Sequence, residues 1–299
     1  MKSRNYSTPR PTGDTLPDQA HQTYSYFPGC SLATSAKENN ASLIHFFKRM
    51  GIDLVEVEDW NCCGSSSAHS IDAELAEQLP ARNLSLAPAG RPLMVACPSC
   101  FLRLKHCQLK LRQDTGKRRQ YEKDFGRAID PDLNILHFFE VLDQLDLGTH
   151  HPHPLRRLNG LRCAPYYGCM LARPPEMKSE KTHSGLMEKI LKNFGAEPLQ
   201  WAYASRCCGT FLSVARPDIV TEMVNRIISD AIRCRADCIV TACAMCHMNL
   251  EIRCNLSRPI PILHFSELLS LAMGTVPEKD WFQRHLIDPR PVLKTRALI

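Results

Sequence analysis

Ten of the fifteen cysteines fall into two matching sets of five, in the same order and at nearly the same spacing. The first set is Gly29-Cys30, Cys62-Cys63-Gly64 and Cys97-Pro98-Ser99-Cys100; the second is Gly168-Cys169, Cys207-Cys208-Gly209 and Cys243-Ala244-Met245-Cys246. The offset between the sets is 139 at the first cysteine, 145 at the adjacent pair and 146 at the Cys-x-x-Cys. Flanks repeat too: Tyr26-Phe27-Pro28 answers Tyr166-Tyr167, and Ile135-Leu136-His137-Phe138-Phe139-Glu140 answers Ile262-Leu263-His264-Phe265-Ser266-Glu267. A fixed internal period marks a duplicated unit, so the two copies are expected to fold alike.

Hydrophobic periodicity sets the fold class. Thr23–Phe27 alternates and ends at Gly-Cys; Lys37–Met50 has helical apolar spacing and stops at Gly51; Ile52–Val57 reads as a strand running into Cys62-Cys63-Gly64. Helix follows over Ile71–Leu86, strand over Leu93–Ala96 and helix over Phe101–Leu111. The second copy repeats the order, with helices over Ser184–Phe194 and Asp218–Ala236 and strands near Leu199–Tyr203 and Cys238–Thr241. The alternation predicts an α/β chain of two homologous domains related by a pseudo-two-fold axis, each a mainly parallel sheet with flanking helices. The cysteines then fall at strand carboxyl ends, where open α/β sheets bind their ligands.

The expected partition is a flexible leader over 1–22, a first domain over 23–149 with a basic insertion at 103–127, a linker over 150–160, a second domain over 161–274 and a C-terminal tail over 275–299. The leader's Lys2, Arg4 and Arg10 precede no apolar stretch, which argues against a secretory signal. No apolar run approaches the roughly 18–20 residues that span a bilayer. A cytoplasmic location is expected, and in a reducing compartment cysteines at this density point to metal or redox chemistry rather than disulfides.

Thiolates are soft ligands that select zinc, copper(I) or iron–sulfur clusters. A structural zinc is content with four, and adjacent cysteines such as Cys62-Cys63 do not readily chelate one tetrahedral ion. Iron–sulfur is therefore the favoured reading, with zinc in at least one half and metal-free thiols as alternatives. Gly29, Gly64, Gly168 and Gly209 are expected to let backbone approach a bulky inorganic core.

The doubled pattern resembles the cysteine-rich domain of the heterodisulfide reductase B subunit, over residues 24–274. Tyr166-Tyr167-Gly168-Cys169 followed by Arg173-Pro174, and Cys243-Ala244-Met245-Cys246-His247-Met248-Asn249-Leu250, carry the likeness further. The resemblance implies two non-cubane 4Fe–4S clusters, ligated by Cys30, Cys62, Cys63, Cys97 and Cys100, and by Cys169, Cys207, Cys208, Cys243 and Cys246. It implies thiol/disulfide redox catalysis, as disulfide reduction or as oxidation of protein- or lipoate-bound sulfur, with the substrate disulfide between the clusters. Partners implied are a sulfur-carrying substrate, including a lipoyl carrier protein, together with a ferredoxin-like C subunit, and a flavin-containing A subunit. The sequence has no G-x-G-x-x-G nucleotide motif of its own. The competing reading is a non-catalytic electron-transfer subunit, or one held together by zinc or iron–sulfur, within an oxidoreductase complex.

Other features carry less. His247, next to Cys246, is a candidate proton donor, against a packing role or a hydrogen bond to cluster sulfur. His137 and His264 recur in register, as an architectural contact would. Cys107, Cys163, Cys234, Cys238 and Cys254 lie outside the repeat and read as small buried hydrophobes. Residues 103–127 hold nine basic and three acidic side chains, a charge of +6 equal to the whole chain's. A solvated basic face is weighed there against docking of an acidic partner; without interleaved aromatics, nucleic acid is not expected. His150-His151-Pro152-His153-Pro154 reads as a stiff connector rather than a metal site.

Overall fold

The computed structural model describes residues 22–65, 68–145, 158–172, 185–274 and 281–299. Residues 1–21 of the expected leader, His150–Pro154 of the linker, and Arg173-Pro174 lie outside the described residues; Gln22, expected in the leader, opens the first strand. The chain divides into two compact units, one of residues 1–34 and 47–144, the other of residues 35–46 and 145–299.

The first unit runs β1 (Gln22–Phe27), α1 (Cys30–Ala33), the end of α2 (Lys37–Arg49), β2 (Ile52–Glu56), α3 (Ala68–Ile71), α4 (Ala73–Leu86), β3 (Leu93–Val95), α5 (Pro98–Gln113), α6 (Thr115–Phe125), β4 (Ile135–His137) and α7 (Phe138–Gln144). Its four strands lie in the order β2-β1-β3-β4 and every pairing is parallel. The chain leaves β1 to one side for β2 and returns to the other for β3, which places a topological switch between β1 and β3. Strands covered on both faces need apolar residues throughout; Tyr26, Phe27, Leu93, Met94 and Val95 are all buried. Each large apolar side chain so placed contributes about 1.5–3 kcal/mol relative to exposure.

The second unit repeats the plan: β5 (Arg162–Tyr166), α8 (Gly168–Ala172), α9 (Leu186–Asn193), β6 (Glu197–Pro198), α10 (Pro217–Arg233), β7 (Cys238–Thr241), α11 (Ala244–Ile252), β8 (Ile262–His264), α12 (Phe265–Ala272) and α13 (Arg290–Thr295). Its sheet order, β6-β5-β7-β8, is again all parallel. The predicted fold, two like α/β halves, is the one observed.

Local departures have local causes. The helix expected over 71–86 is broken at Asp72, whose extended backbone and carboxylate cap α4 by accepting from the N–H groups of Glu74 and Leu75 at 2.8 and 3.0 Å. The helix expected from Phe101 begins at Pro98, because proline's fixed φ suits a first helical turn. Leu199–Tyr203 does not extend β6: after Leu199 N–H donates to Cys163 O, the Trp201 indole N–H takes Pro165 O at 2.7 Å and replaces the ladder. The basic insertion expected from residue 103 starts later in the structure. The beginning of α5 matches α11, and the surplus is the rest of its 16 residues, against 9 in α11, together with α6. Lys117 in α6 pairs with Glu77 of α4 at 2.8 Å, and Tyr121 donates to Glu74 at 2.7 Å, so part of this basic face is used internally. The segment after Gly274, expected as a tail, contributes buried Trp281, Phe282, Leu293 and Leu298. No helix of the described residues is long and apolar enough to cross a membrane.

Candidate metal centres

Each of the first three strands of a unit delivers cysteine at its carboxyl end. In the first unit β1 leads to Cys30, β2 to Cys62-Cys63 and β3 to Cys97; in the second β5, β6 and β7 lead to Cys169, Cys207-Cys208 and Cys243. The Cys-x-x-Cys straddles a helix start, with Cys97 the N-cap of α5 and Cys243 the N-cap of α11. Cys100 and Cys246 then sit in the first turn of α5 and α11.

The sulfurs converge. In the first unit Cys30 Sγ lies 3.7 Å from Cys62 Sγ, Cys63 Sγ 3.2 Å from Cys100 Sγ, and the Cys97 and Cys100 thiols are hydrogen-bonded. In the second, Cys208 Sγ lies 3.4 Å from Cys246 Sγ, with Cys169 hydrogen-bonded to Cys207 and Cys243 to Cys246, all as free thiols. The two sites share a gradient of exposure. Cys63, Cys97 and Cys100 are buried while Cys30 is exposed; Cys208 and Cys243 are buried while Cys207 is exposed.

So many thiols together share their protons unequally. Cys62 is held well below the usual thiol range by hydrogen bonds from Cys30 and Cys63 and by the Gly64 N–H, against the effect of burial. Cys207 is lowered likewise by Cys169 and the Gly209 N–H. Cys208 falls to about 7 through the Cys246 thiol and the Thr210 hydroxyl, despite burial. Cys30, Cys100, Cys169 and Cys246 are pushed up, chiefly because each is hydrogen-bonded to a neighbouring sulfur. Such sets hold thiolate at neutral pH and release further protons when a soft metal binds. The structure thus suits metal by donor chemistry, and five thiols per site exceed the four a structural zinc takes.

The four motif glycines divide into two roles. A Cβ on Gly29, whose φ is +77°, would stand 2.8 Å from Cys100 Sγ, and one on Gly168 would stand 3.4 Å from Cys246 Sγ. Those two keep the backbone clear of the sulfurs. A Cβ on Gly64 would instead meet Leu79 and Ala68, and on Gly209 Val220 and Met223. The second pair is required by packing of the following helix, not by the site.

Supporting residues emerge that the motif does not show. Asn249 Nδ2 donates to Cys208 O at 2.7 Å and fixes the Cys-Cys-Gly loop to α11. In the first unit the loop is tied to α4 instead: Asn61 Nδ2 donates to Cys62 O at 2.8 Å and to Leu79 O at 3.2 Å, and its backbone N–H donates to Asn83 Oδ1 at 2.9 Å. The only sequence signal for Asn249 is its place three residues after Cys246, which puts the amide on the same helix face as the thiol. Of the cysteines outside the repeat, Cys107, Cys163 and Cys238 are buried and Cys234 and Cys254 half-buried. Cys163 and Cys238 are register partners in β5 and β7, with sulfurs 3.9 Å apart.

The His247 ring has neighbours outside the sulfur set: its Nδ1 lies 3.0 Å from Asn39 Nδ2 and its Nε2 3.6 Å from Glu251 Oε1. His264 and His137 are fully buried, and each backbone N–H is capped by the in-register glutamate, Glu267 at 2.7 Å and Glu140 at 2.8 Å.

Comparison with known proteins matches this geometry to one domain type. The cysteine-rich domain named CCG matches twice, at residues 24–105 and 163–251. The 8-methylmenaquinol:fumarate reductase membrane anchor subunit of Wolinella succinogenes is 29% identical over 88% of this chain and 95% of its own. A protein of Archaeoglobus profundus, described as like the heterodisulfide reductase B subunit, is 27% identical over 86% and 92%. The B subunit of the ferredoxin/F420H2-dependent CoB-CoM heterodisulfide reductase of Methanosarcina acetivorans is 23% identical over 88% and 93%. A hypothetical protein from Helicobacter pylori has a similar fold, with TM-score 0.70 at 14% identity over 96% of this chain and 54% of that one. With both copies of the motif matched, at residues 24–105 and 163–251, the chain belongs to the CCG cysteine-rich domain family and carries its domain twice.

Proposed function

We propose that this chain is the thiol/disulfide-transforming iron–sulfur subunit of a cytoplasmic heterodisulfide reductase-like complex. Cys30, Cys62, Cys63, Cys97 and Cys100 would hold one non-cubane 4Fe–4S cluster, and Cys169, Cys207, Cys208, Cys243 and Cys246 a second. The observation that carries this is the shape of each sulfur set, with thiols buried beneath and one thiol, Cys30 or Cys207, exposed at the rim. When bound, such clusters supply one-electron redox chemistry. The chain's own groups do the rest. Thiolates form first at the lowered Cys62, Cys207 and Cys208, their charge held by neighbouring thiols and by the Gly64 and Gly209 N–H groups and the Thr210 hydroxyl; and the buried sides exclude water, leaving the rim for an incoming sulfur. Disulfide and dithiol differ by two electrons, and two like sites in one chain match that count. Electrons would pass between this chain, a ferredoxin-like C subunit, and a flavin-containing A subunit; the substrate would be a disulfide or lipoate-linked sulfur.

The test is anaerobic purification with iron, sulfide and zinc analysis, followed by disulfide reduction and dithiol oxidation by the assembled complex. About eight irons per chain is expected, with turnover lost in Cys62→Ser and in Cys207→Ser alike. Zinc alone at the thiols overturns the reading.

A second reading is a non-catalytic electron-transfer subunit of a fumarate reductase-type complex, and two observations favour it. The Wolinella relative is a fumarate reductase subunit, and Phe211, Leu212 and Val214 stand exposed just after Cys207-Cys208-Gly209. Flotation with anionic lipid vesicles, together with fumarate-linked but not disulfide-linked electron transfer, would select it.

A further inference from the structure

A second constellation of metal-ligating groups lies in the second unit, built from residues the five-thiol site does not use. His247 on α11, Glu267 on α12 and His285 in the segment before α13 each offer one ligand atom, all within 4.8 Å of one another. Their side chains are buried, at 8%, 0% and 3% exposure. His285 is held between two carboxylates, with Nε2 at 2.9 Å from Glu267 Oε1 and Nδ1 at 3.1 Å from Glu251 Oε1. His247 Nε2 is buried without a hydrogen-bond partner.

Two facts make this more than an ion pair. One imidazolium faces two buried carboxylates, leaving a negative charge that is costly to bury unless matched. A divalent cation would match both carboxylates and take the orphaned His247 nitrogen. The duplication supplies the control: at the equivalent positions of the first unit, Phe101 replaces His247 and Lys105 replaces Glu251, while Glu140 stands for Glu267. There the ring of Phe101 packs edge-on against His137 at 5.7 Å and an amine answers the glutamate. The first unit fills the space with apolar rings and its own cation; the second fills it with ligands.

We propose that His247 Nε2, Glu267 and His285 Nε2 bind a zinc-class divalent cation. Zn–N and Zn–O bonds of about 2.0–2.1 Å put tetrahedral ligand atoms about 3.3 Å apart. The His285–Glu267 pair then opens slightly and the longest separation closes by up to about 1.5 Å. His285 Nδ1–H is left to donate to Glu251, the carboxylate–histidine–zinc arrangement that fixes a ligating ring. Turning the Asn39 amide end for end lets its oxygen accept from His247 Nδ1–H in the same way. The ion would tie the Trp281–His285 segment to α11, directly behind Cys246.

The inference stands apart from the reading of the thiol sites, and one experiment separates them. Full-length protein, purified anaerobically with zinc in the medium, is measured for iron and zinc, and its zinc absorption edge gives the ligand atoms. Expected is one zinc per chain with nitrogen and oxygen ligands only, lost in His285→Ala while iron is unchanged. If that variant does not fold, Glu251→Gln keeps all three ligands and should weaken zinc binding about 10–100-fold. Full iron with no zinc, and no rise in melting temperature on titrating zinc, overturns the inference alone. Zinc bound only through sulfur at about 2.3 Å overturns it and the thiol-site reading together.

Discussion

The two units share sheet order, cysteine spacing and the glutamate that caps the last strand, yet differ in what stands behind the Cys-x-x-Cys helix. In the first, Phe101, Phe138 and Phe139 gather around His137. In the second, Ser266 takes the place of Phe139 and hydrogen-bonds His264 Nδ1 at 2.7 Å and Ser42 Oγ at 2.6 Å, while His247, Glu251, Glu267 and His285 form a charged knot. Duplication fixed the ligand frame in both copies, because strand ends and helix starts place those sulfurs; the layer behind was free to diverge. That layer is where the copies differ in chemistry.

The largest effect that would break the comparison is loss of one thiol set alone. Cys97→Ser and Cys243→Ser should each remove about half of the iron and all disulfide turnover; retention of turnover in either would show that the halves are not equivalent partners. Next, Glu267→Gln should cost about 1.5–3 kcal/mol of unfolding free energy: His285 keeps Glu251 but exchanges its other carboxylate for a neutral amide. Glu140→Gln should cost less, about 1 kcal/mol, weakening one backbone cap and a partly exposed attraction to Lys105; urea denaturation of the two variants checks the difference.

The glycines sharpen it further. Gly29→Ala should displace Cys100 and impair iron loading, whereas Gly168→Ala, with more room, should be milder, read by iron content and the near-ultraviolet cluster absorbance.

A pH profile of zinc-free protein isolates the knot. His285 is raised to about 10, with Glu267 and Glu251 outweighing its burial, so its stabilisation is complete below about 6.5 and lost as pH rises through 10. Glu251 is lowered to about 2, its burial outweighed by the His285 hydrogen bond and the nearby His247 and His285 rings, so its share is present above about 4.3 and lost as pH falls through 2. The urea midpoint should therefore be highest between those limits, and His285→Gln should flatten its alkaline side.

The smallest effect is expected at Cys107, buried against α4 and outside both sulfur sets. Its thiol, pushed up to about 12 chiefly by burial, is inert at neutral pH. Cys107→Ala should leave iron unchanged and cost about 1 kcal/mol in urea denaturation.

Much of this was legible in the chain itself. Motif order and spacing determined two like α/β units with sulfur ligands at strand ends, because a ligand set carried on short loops after parallel strands is a local property. Tertiary structure alone decided the rest. Residues 35–46 precede the first Cys-Cys pair yet group with the second unit, where Asn39 meets His247 and Ser42 meets Ser266. The roles of Gly64 and Gly209 depended on which helix packs above them. His285 lies 38 positions beyond His247 in a segment with no counterpart in the repeat, so no periodicity could pair them. Only packing of that segment against α11 and α12 brings its imidazole between two carboxylates, and contacts between residues distant in sequence leave no pattern in the sequence to read.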